Sequence, residues 1–347
     1  MKFSGFLGGW IWPGVGIALF LASPTRAAGP PLVDAQSALL VDGATGRILY
    51  QKNIAAPHAP ASTVKLLTAL LVVEHKGLNG TLQVTKEDTA VEPSHIPLIA
   101  GETVSVHDLV YALLIGSDND AAMALARYTA GSVPAFLVMM NARAKELGCT
   151  NSNFMSPNGL PMDGQYTTAE DLLKIFQAAI AVPELRTICS TKEFRLTTQA
   201  GTRDIENHNK LLGKYPGMGP AKTGWTMESR HTYAAAATRN GHELHLIILD
   251  SKDKWDDATK LFDYGFAHES GAPVDLYGPT DAAPGTVAAA PLGARTYTVK
   301  KGDTLAAIAL RKHCTLEALR QANPQLLNPN RLTLGEILTL PPAGAGH

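Results

Sequence analysis

The sequence predicts an α+β domain followed by a small βααβ module. β-rich runs stand near the start and in the last third of the first 270 residues, and helical periodicity fills the stretch between them. An Ala/Pro/Gly-rich segment then separates off a short strand, helix, helix, strand pattern. The chain has 347 residues, 45% of them hydrophobic and 18% charged, with a formal net charge of −1. This suits a folded protein with a sizeable core. It lacks the basic excess that a nucleic-acid partner requires, so none is expected.

The elements follow in order. Lys2 precedes the apolar GFLGGWIWPGVGIALFLA, and the small residues Thr25 and Ala27 follow, the pattern of a secretory signal peptide over residues 1–27. Pro13 and several glycines make that run a poor spanning helix. An exported protein of the periplasm or cell envelope is expected, with its main domain over residues 28–270.

SALLVDGATGRILYQKN reads as a hairpin around DGATG. PASTVKLLTALLVVEHKG then reads as an apolar helix, and SVHDLVYALLIGSDNDAAMALARYTAG and SVPAFLVMMNARAKELG continue at helical spacing to stops at Gly131 and Gly148. AEDLLKIFQAAIAVPEL adds a helix closed by Pro183. FRLTTQAGTRDIENHN, YAAAATRNG and HELHLIILDS return to strands, with a turn at Asn240–Gly241, and WDDATKLFDYGF packs back on the sheet.

Residues 271–294 read as an extended linker, 295–341 as the second module and 342–347 as a tail. PPAGAGH has no amphipathic face, so no stable membrane anchor is expected. Cys149, Cys189 and Cys314 sit in no CxxC or mixed Cys/His spacing, which favours structural thiols; no metal or other cofactor is expected. A Cys149–Cys189 disulfide stays open in an oxidising compartment.

Ser62 and Lys65, three apart at a helix start, share one face, so the amine can reach the hydroxyl. By itself Ser62 reads as the cap of that helix. SDN at Ser117–Asn119 and KTG at Lys222–Gly224 change that reading, because S-x-x-K, S-D-N and K-T-G in this order form a known acyl-transfer signature. A serine hydroxyl needs a base, and a lysine serves only if burial or a second cation lowers its pKa. Lys222 offers that cation and can stabilise negative charge. Ser117 can relay a proton to a leaving amine, Asn119 can hold Lys65 and a substrate carbonyl, and Gly224 permits close backbone approach.

On PASTVKLLTALLVVE, GSDNDAAMALA, MMNARAKELG, SPNGLPMDGQYTTAEDLL, NHNKLL and GPAKTGWT, in family order, residues 35–266 resemble the low-molecular-mass penicillin-binding proteins. These are the serine D-alanyl-D-alanine carboxypeptidases. The resemblance implies a β-lactamase/penicillin-binding-protein-like domain, an antiparallel sheet flanked by helices plus a helical subdomain. It further implies that Ser62 is acylated by the penultimate D-Ala of a peptidoglycan stem peptide, with Lys65 as base, and trapped covalently by β-lactams. The family's oxyanion hole implies the backbone N–H groups of Ser62 and Trp225, and Thr223 would meet the substrate's terminal carboxylate.

Two departures stand out. The chain offers Lys254 where the family often has an arginine for that carboxylate, which keeps the charge and loses the bidentate fork. The usual Asn-Pro-His-Gly-Leu is SPNGL, Ser156–Leu160. The looser carboxylate site keeps a D,D-endopeptidase in view. A class A β-lactamase would need a deacylating glutamate on a loop between SDN and KTG, where Glu170 and Glu184 fall in helix-like patterns. An inactive glycan-binding scaffold is disfavoured by the intact motifs.

YTVKKGDTLAAIA and the NP of QANPQ make residues 295–341 resemble a LysM domain, which implies binding to the N-acetylglucosamine-containing glycan strands of peptidoglycan. Gly302, Asp303, Thr304, Asn328 and Asn330 are the implied contacts.

Overall fold

The computed structural model describes Met1 and residues 29–92, 98–199, 201–268, 296–299, 304–312, 315–323 and 337–341. Apart from Met1, the expected signal peptide lies outside the described residues, as do the linker, the C-terminal tail, Cys314, Gly302, Asp303, Asn328 and Asn330. The chain divides into two compact units, Met1–Gly278 and Pro279–His347.

In the first unit, β1 (Ser37–Asp42) and β2 (Ile48–Lys52) form the expected hairpin, its turn held by Asp42 Oδ1, which accepts from Thr45 N at 2.7 Å. A 3-10 turn, Ala61–Val64, runs into α1 (Lys65–Lys76). Every residue of α1 from Lys65 to Val72 is buried, because the helix threads the middle of the helical layer rather than lying on it.

A short ladder of β3 (Thr81–Gln83) and β4 (Thr103–Ser105) follows, then α2 (Val106–Leu114), α3 (Asn119–Ala130), α4 (Val133–Glu146), α5 (Ala169–Ala181) and α6 (Pro183–Ser190). The single helical stretch read across SDN is broken: α2 stops before Ile115 and α3 starts anew, capped by Asp118 Oδ1, which accepts from Ala121 N at 2.8 Å. Pro183 closes α5 as expected and also opens α6 at its first position, where its missing N–H costs nothing.

Among the described residues, β5 (Glu193–Thr198) and β6 (Gly201–Glu206) pair only with each other. β7 (Met218–Thr226), β8 (Arg230–Arg239) and β9 (His242–Ser251) join the hairpin in one antiparallel sheet of order β2-β1-β9-β8-β7, and α7 (Lys254–Ala267) covers its other face. Strand alternation divides the core. Leu39, Val41, Ile247 and Leu249 face the helical layer, while Leu40, Leu246 and Ile248 pack with Leu261 and Phe262 of α7. Cys149 and Cys189 are free, buried thiols in this structure, not bridged to each other, and burial pushes both up to about 12.

The second unit has β10 (Thr296–Thr298), α8 (Leu305–Arg311), α9 (Leu316–Gln321) and β11 (Ile337–Thr339), with the two strands antiparallel. Tyr297, Leu305, Ile308, Leu319 and Leu338 form its core. Asn323, the Asn of the NP motif, ties α9 to β11: its amide donates to Leu319 O and Thr339 O and accepts from Thr339 N, each at 2.7 Å. Among the described residues no single helix is long and apolar enough to cross a membrane.

Candidate active site

Three separate backbone devices bring the motifs together. The first is the 3-10 turn. Ser62 lies inside it, and its hydroxyl meets Lys65 Nζ rather than a backbone N–H, so the cap reading of Ser62 fails. The turn is pinned from both sides: Thr232 Oγ1 on β8 donates to Pro60 O at 3.1 Å, and Gly159 packs against the carbonyl of Ala61. A Cβ on Gly159 would stand 2.0 Å from that oxygen, and its φ of +84° also calls for glycine.

The second device is the break between α2 and α3. Ser117 there adopts a left-handed conformation (φ 59°), uncommon for a residue with a side chain. This turn aims Ser117 Oγ at Lys222 Nζ, 2.9 Å away, and starts α3 so that Asn119 faces Lys65. The third device is the edge strand β7, which delivers Lys222 from its buried stretch.

Lys65 is wholly buried. Its Nζ lies 2.9 Å from Ser62 Oγ, 2.8 Å from Asn119 Oδ1 and 2.7 Å from the carbonyl oxygen of Asn158. Asn119 Nδ2 donates to Glu92 O at 3.1 Å, which turns the amide so that its oxygen faces the lysine. Both Asn119 Oδ1 and Asn158 O can only accept. A neutral amine therefore spends its two N–H groups on them and leaves its lone pair for the Ser62 hydroxyl. Burial holds Lys65 well below the ordinary lysine value and the Lys222 charge lowers it further, with Asp118 opposing.

Lys222 is 1% exposed, and its Nζ donates to Ser117 Oγ and to Thr223 O, both at 2.9 Å. Burial lowers it to about 7, Cys189 opposes, and the Lys254 charge adds to the lowering. Gly224 follows at the closest approach of β7 to the turn: a Cβ there would stand 2.3 Å from Thr232 Oγ1 and 2.8 Å from Ser62 N. Thr223 is buried, and Trp225 is 58% exposed. Lys254 opens α7 with its Nζ 2.8 Å from His231 Nδ1, and His231 faces Trp225 across β7 and β8.

The structure thus joins Ser62, Lys65 and Asn119 in one hydrogen-bonded group and Ser117 and Lys222 in a second, the Lys222 charge acting on Lys65 and Gly224 lying against Ser62. Local pattern alone leaves SPNGL unexplained. In the fold, Asn158 lends its carbonyl to Lys65, Pro157 O accepts from Thr68 Oγ1 at 2.7 Å, and Ser156 Oγ accepts from Gly159 N at 3.1 Å. The Asn-Gly turn signal was present, but a backbone carbonyl has no residue-type signature. Thr232 and His231 were missed for the same kind of reason, since only strand pairing brings them to the site. Glu170 and Glu184 sit in the first turns of α5 and α6, on helices rather than a loop. Thr304, described in the second unit, is exposed.

A half-buried serine on a buried lysine beside a second buried lysine, between a helical layer and an antiparallel sheet, defines the class of active-site-serine acyl transferases. The match with known proteins narrows the class. Residues 24–253 match the D-alanyl-D-alanine carboxypeptidase family and residues 297–341 the LysM domain, so the chain belongs to that carboxypeptidase family and carries a LysM domain at its C-terminal end. It is 34% identical over 251 residues to D-alanyl-D-alanine carboxypeptidase DacB2 of Mycobacterium tuberculosis, covering 70% of this chain and 86% of that one. It is 32% identical to a D-alanyl-D-alanine endopeptidase of Pseudomonas aeruginosa, covering 69% and 81%. The crystal structure of the Streptomyces K15 DD-transpeptidase superposes with a TM-score of 0.65 at 31% identity, covering 69% of this chain and all of that one.

Proposed function

We propose that this chain is a serine D-Ala-D-Ala carboxypeptidase that removes the terminal D-Ala from peptidoglycan stem peptides through an acyl-enzyme on Ser62. The observation that carries it is the Lys65 amine, held by two obligate acceptors with its remaining valence on Ser62 Oγ. Neutral Lys65 takes the hydroxyl proton as Oγ attacks the penultimate D-Ala carbonyl. The N–H groups of Ser62 and Trp225 receive the oxyanion, which Gly224 permits by letting β7 lie against the turn. As the peptide bond breaks, the proton passes from Lys65 by way of Ser117, held by Lys222, to the leaving amine of D-Ala. Water then attacks the ester, Lys65 again takes a proton, and Ser62 is released. A β-lactam would stop after acylation. Thr223, Trp225 and Lys254 line the end where the substrate's carboxylate sits.

The LysM module would hold the enzyme on the glycan strands, with Gly302, Asp303, Thr304, Asn328 and Asn330 as its contacts. Tethering raises the local concentration of stems. Export to the periplasm or cell envelope follows from the signal pattern over residues 1–27. The second reading, cross-link cleavage, draws on the likeness to an endopeptidase.

The deciding experiment is labelling with a fluorescent penicillin, paired with D-Ala release from a monomeric pentapeptide and cleavage of a cross-linked dimer. Wild type should label, Ser62→Ala should not, and free D-Ala should come from the pentapeptide. Equal labelling of Ser62→Ala refutes the nucleophile; cleavage of the dimer alone refutes the carboxypeptidase.

A further inference from the structure

Near the KTG strand end, β8 and the start of α7 hold a nitrogen pair, His231 and Lys254, that takes no part in the proton transfers at Ser62. Lys254 is 6% exposed, yet its hydrogen-bond partner is another base: Nζ lies 2.8 Å from His231 Nδ1 and 4.5 Å from the centre of the Trp255 ring. Among the described residues no carboxylate forms an ion pair with it, whereas a buried ammonium is ordinarily paired. Its charged surroundings are mainly cationic. Burial and then Lys210 lower it to about 8 against the opposing Asp253, and its own charge reaches Lys222. This is an ammonium prepared for an anion that arrives from outside.

His231 decides where that ammonium points. To accept from an ammonium its Nδ1 must carry a lone pair, so the ring is neutral and its proton sits on Nε2. The groups that act on it agree: burial lowers its pKa first, Lys254 and Lys210 lower it further, and Asp253 opposes. His231 also stands opposite Trp225 in the ladder, next to the KTG strand end. A lysine is a point charge on a flexible stem, where an arginine presents a rigid fork. The imidazole and the Trp255 face restore part of that rigidity by fixing Nζ before substrate binds.

We propose that His231 is a positioning residue: by accepting a hydrogen bond from Lys254 Nζ it holds this ammonium ready for the free carboxylate of the substrate, and so sets the preference for chain-terminal stems. The proposal rests on the carboxypeptidase reading above. It gives a pH signature. As pH falls below the ordinary histidine value of about 6.5, protonated His231 can no longer accept, two cations face each other, and the ammonium leaves its place.

The test compares wild type, His231→Leu, His231→Asn and Lys254→Met in D-Ala release from a monomeric pentapeptide, with penicillin labelling and thermal melts run in parallel. Leucine fills the space and cannot accept; asparagine puts an amide oxygen near the Nδ1 position. His231→Leu should raise KM about tenfold, the effect of losing one hydrogen bond to a charged group, with kcat within about twofold. His231→Asn should recover most of that loss, and the acid rise in KM of wild type should vanish in it. The Lys254→Met, His231→Leu double variant should lose little more than Lys254→Met.

A His231→Leu enzyme that melts and labels like wild type with unchanged KM overturns the proposal, as does a loss confined to kcat. If His231→Leu does not fold, the pH profile decides: an acid rise that persists in His231→Asn overturns it. A wild type that labels but releases no D-Ala refutes the carboxypeptidase reading instead. The same comparison is then read from the concentration dependence of penicillin acylation, where an equal half-saturation in wild type and His231→Asn alongside His231→Leu overturns the proposal.

Discussion

Gly224→Ala adds one methyl at the most crowded point between the sheet and the nucleophile. The new Cβ would stand 2.3 Å from Thr232 Oγ1, 2.8 Å from Ser62 N and 3.0 Å from Ala61 Cβ. Ordinary contact needs ~3.5 Å, so the Ser62 backbone must retreat by about 0.7 Å. Thr232 could rotate away only by giving up its bond to Pro60 O, which pins the same turn. The retreat displaces both the Ser62 N–H proposed for the oxyanion hole and the hydroxyl beside Lys65.

Losing one oxyanion donor costs about 10²–10³ in rate, so acylation by a fluorescent penicillin should fall roughly a hundredfold, about 3 kcal/mol in the barrier. The overpacked strand should lose about 1–3 kcal/mol of stability. Stopped-flow acylation rates and thermal melts measure the two effects separately. Gly219→Ala on the same strand is the control, because its Cβ would meet only Ala236 O, at 3.3 Å, away from the Ser62 turn. A folded Gly224→Ala enzyme that acylates within about threefold of wild type would refute the reasoning.

Two further outcomes are expected. In wild type, acylation should fail at low pH as Lys65 gains a proton and decline on the alkaline side near the Lys222 value of about 7, as that cation is lost. Lys222→Gln removes the charge that lowers Lys65, so its acid limb should move to higher pH while burial keeps it below the ordinary lysine value; an unmoved limb in pH-dependent acylation rates would show that the charge does not act on Lys65. Deleting residues 295–347 should abolish retention on purified peptidoglycan in a pull-down and leave penicillin labelling intact, since the two units have separate cores; equal retention would dismiss the LysM role.

The elements were largely legible from local chemistry. Period-two runs around DGATG and Asn240–Gly241 gave the hairpins, and glycine stops gave the helix ends. The helix across SDN was misread because an apolar period runs through it. The break depends on Asp118 capping a new helix and on Ser117 entering a left-handed conformation that no propensity favours. The pairing of β5 with β6 alone was also hidden, since a strand pattern does not name its partner.

By itself the sequence determined the order S-x-x-K, SDN, KTG, and with it the reading of Ser62 as a nucleophile, because residue type and spacing survive in one dimension. Only the tertiary structure decided that Ser62 sits in a 3-10 turn, that Asn158 lends a backbone carbonyl to Lys65, and that His231 rather than a carboxylate meets Lys254. The physical reason is that a pKa, a lone pair's direction and a 2.8 Å approach are properties of burial and of neighbours far apart in the chain.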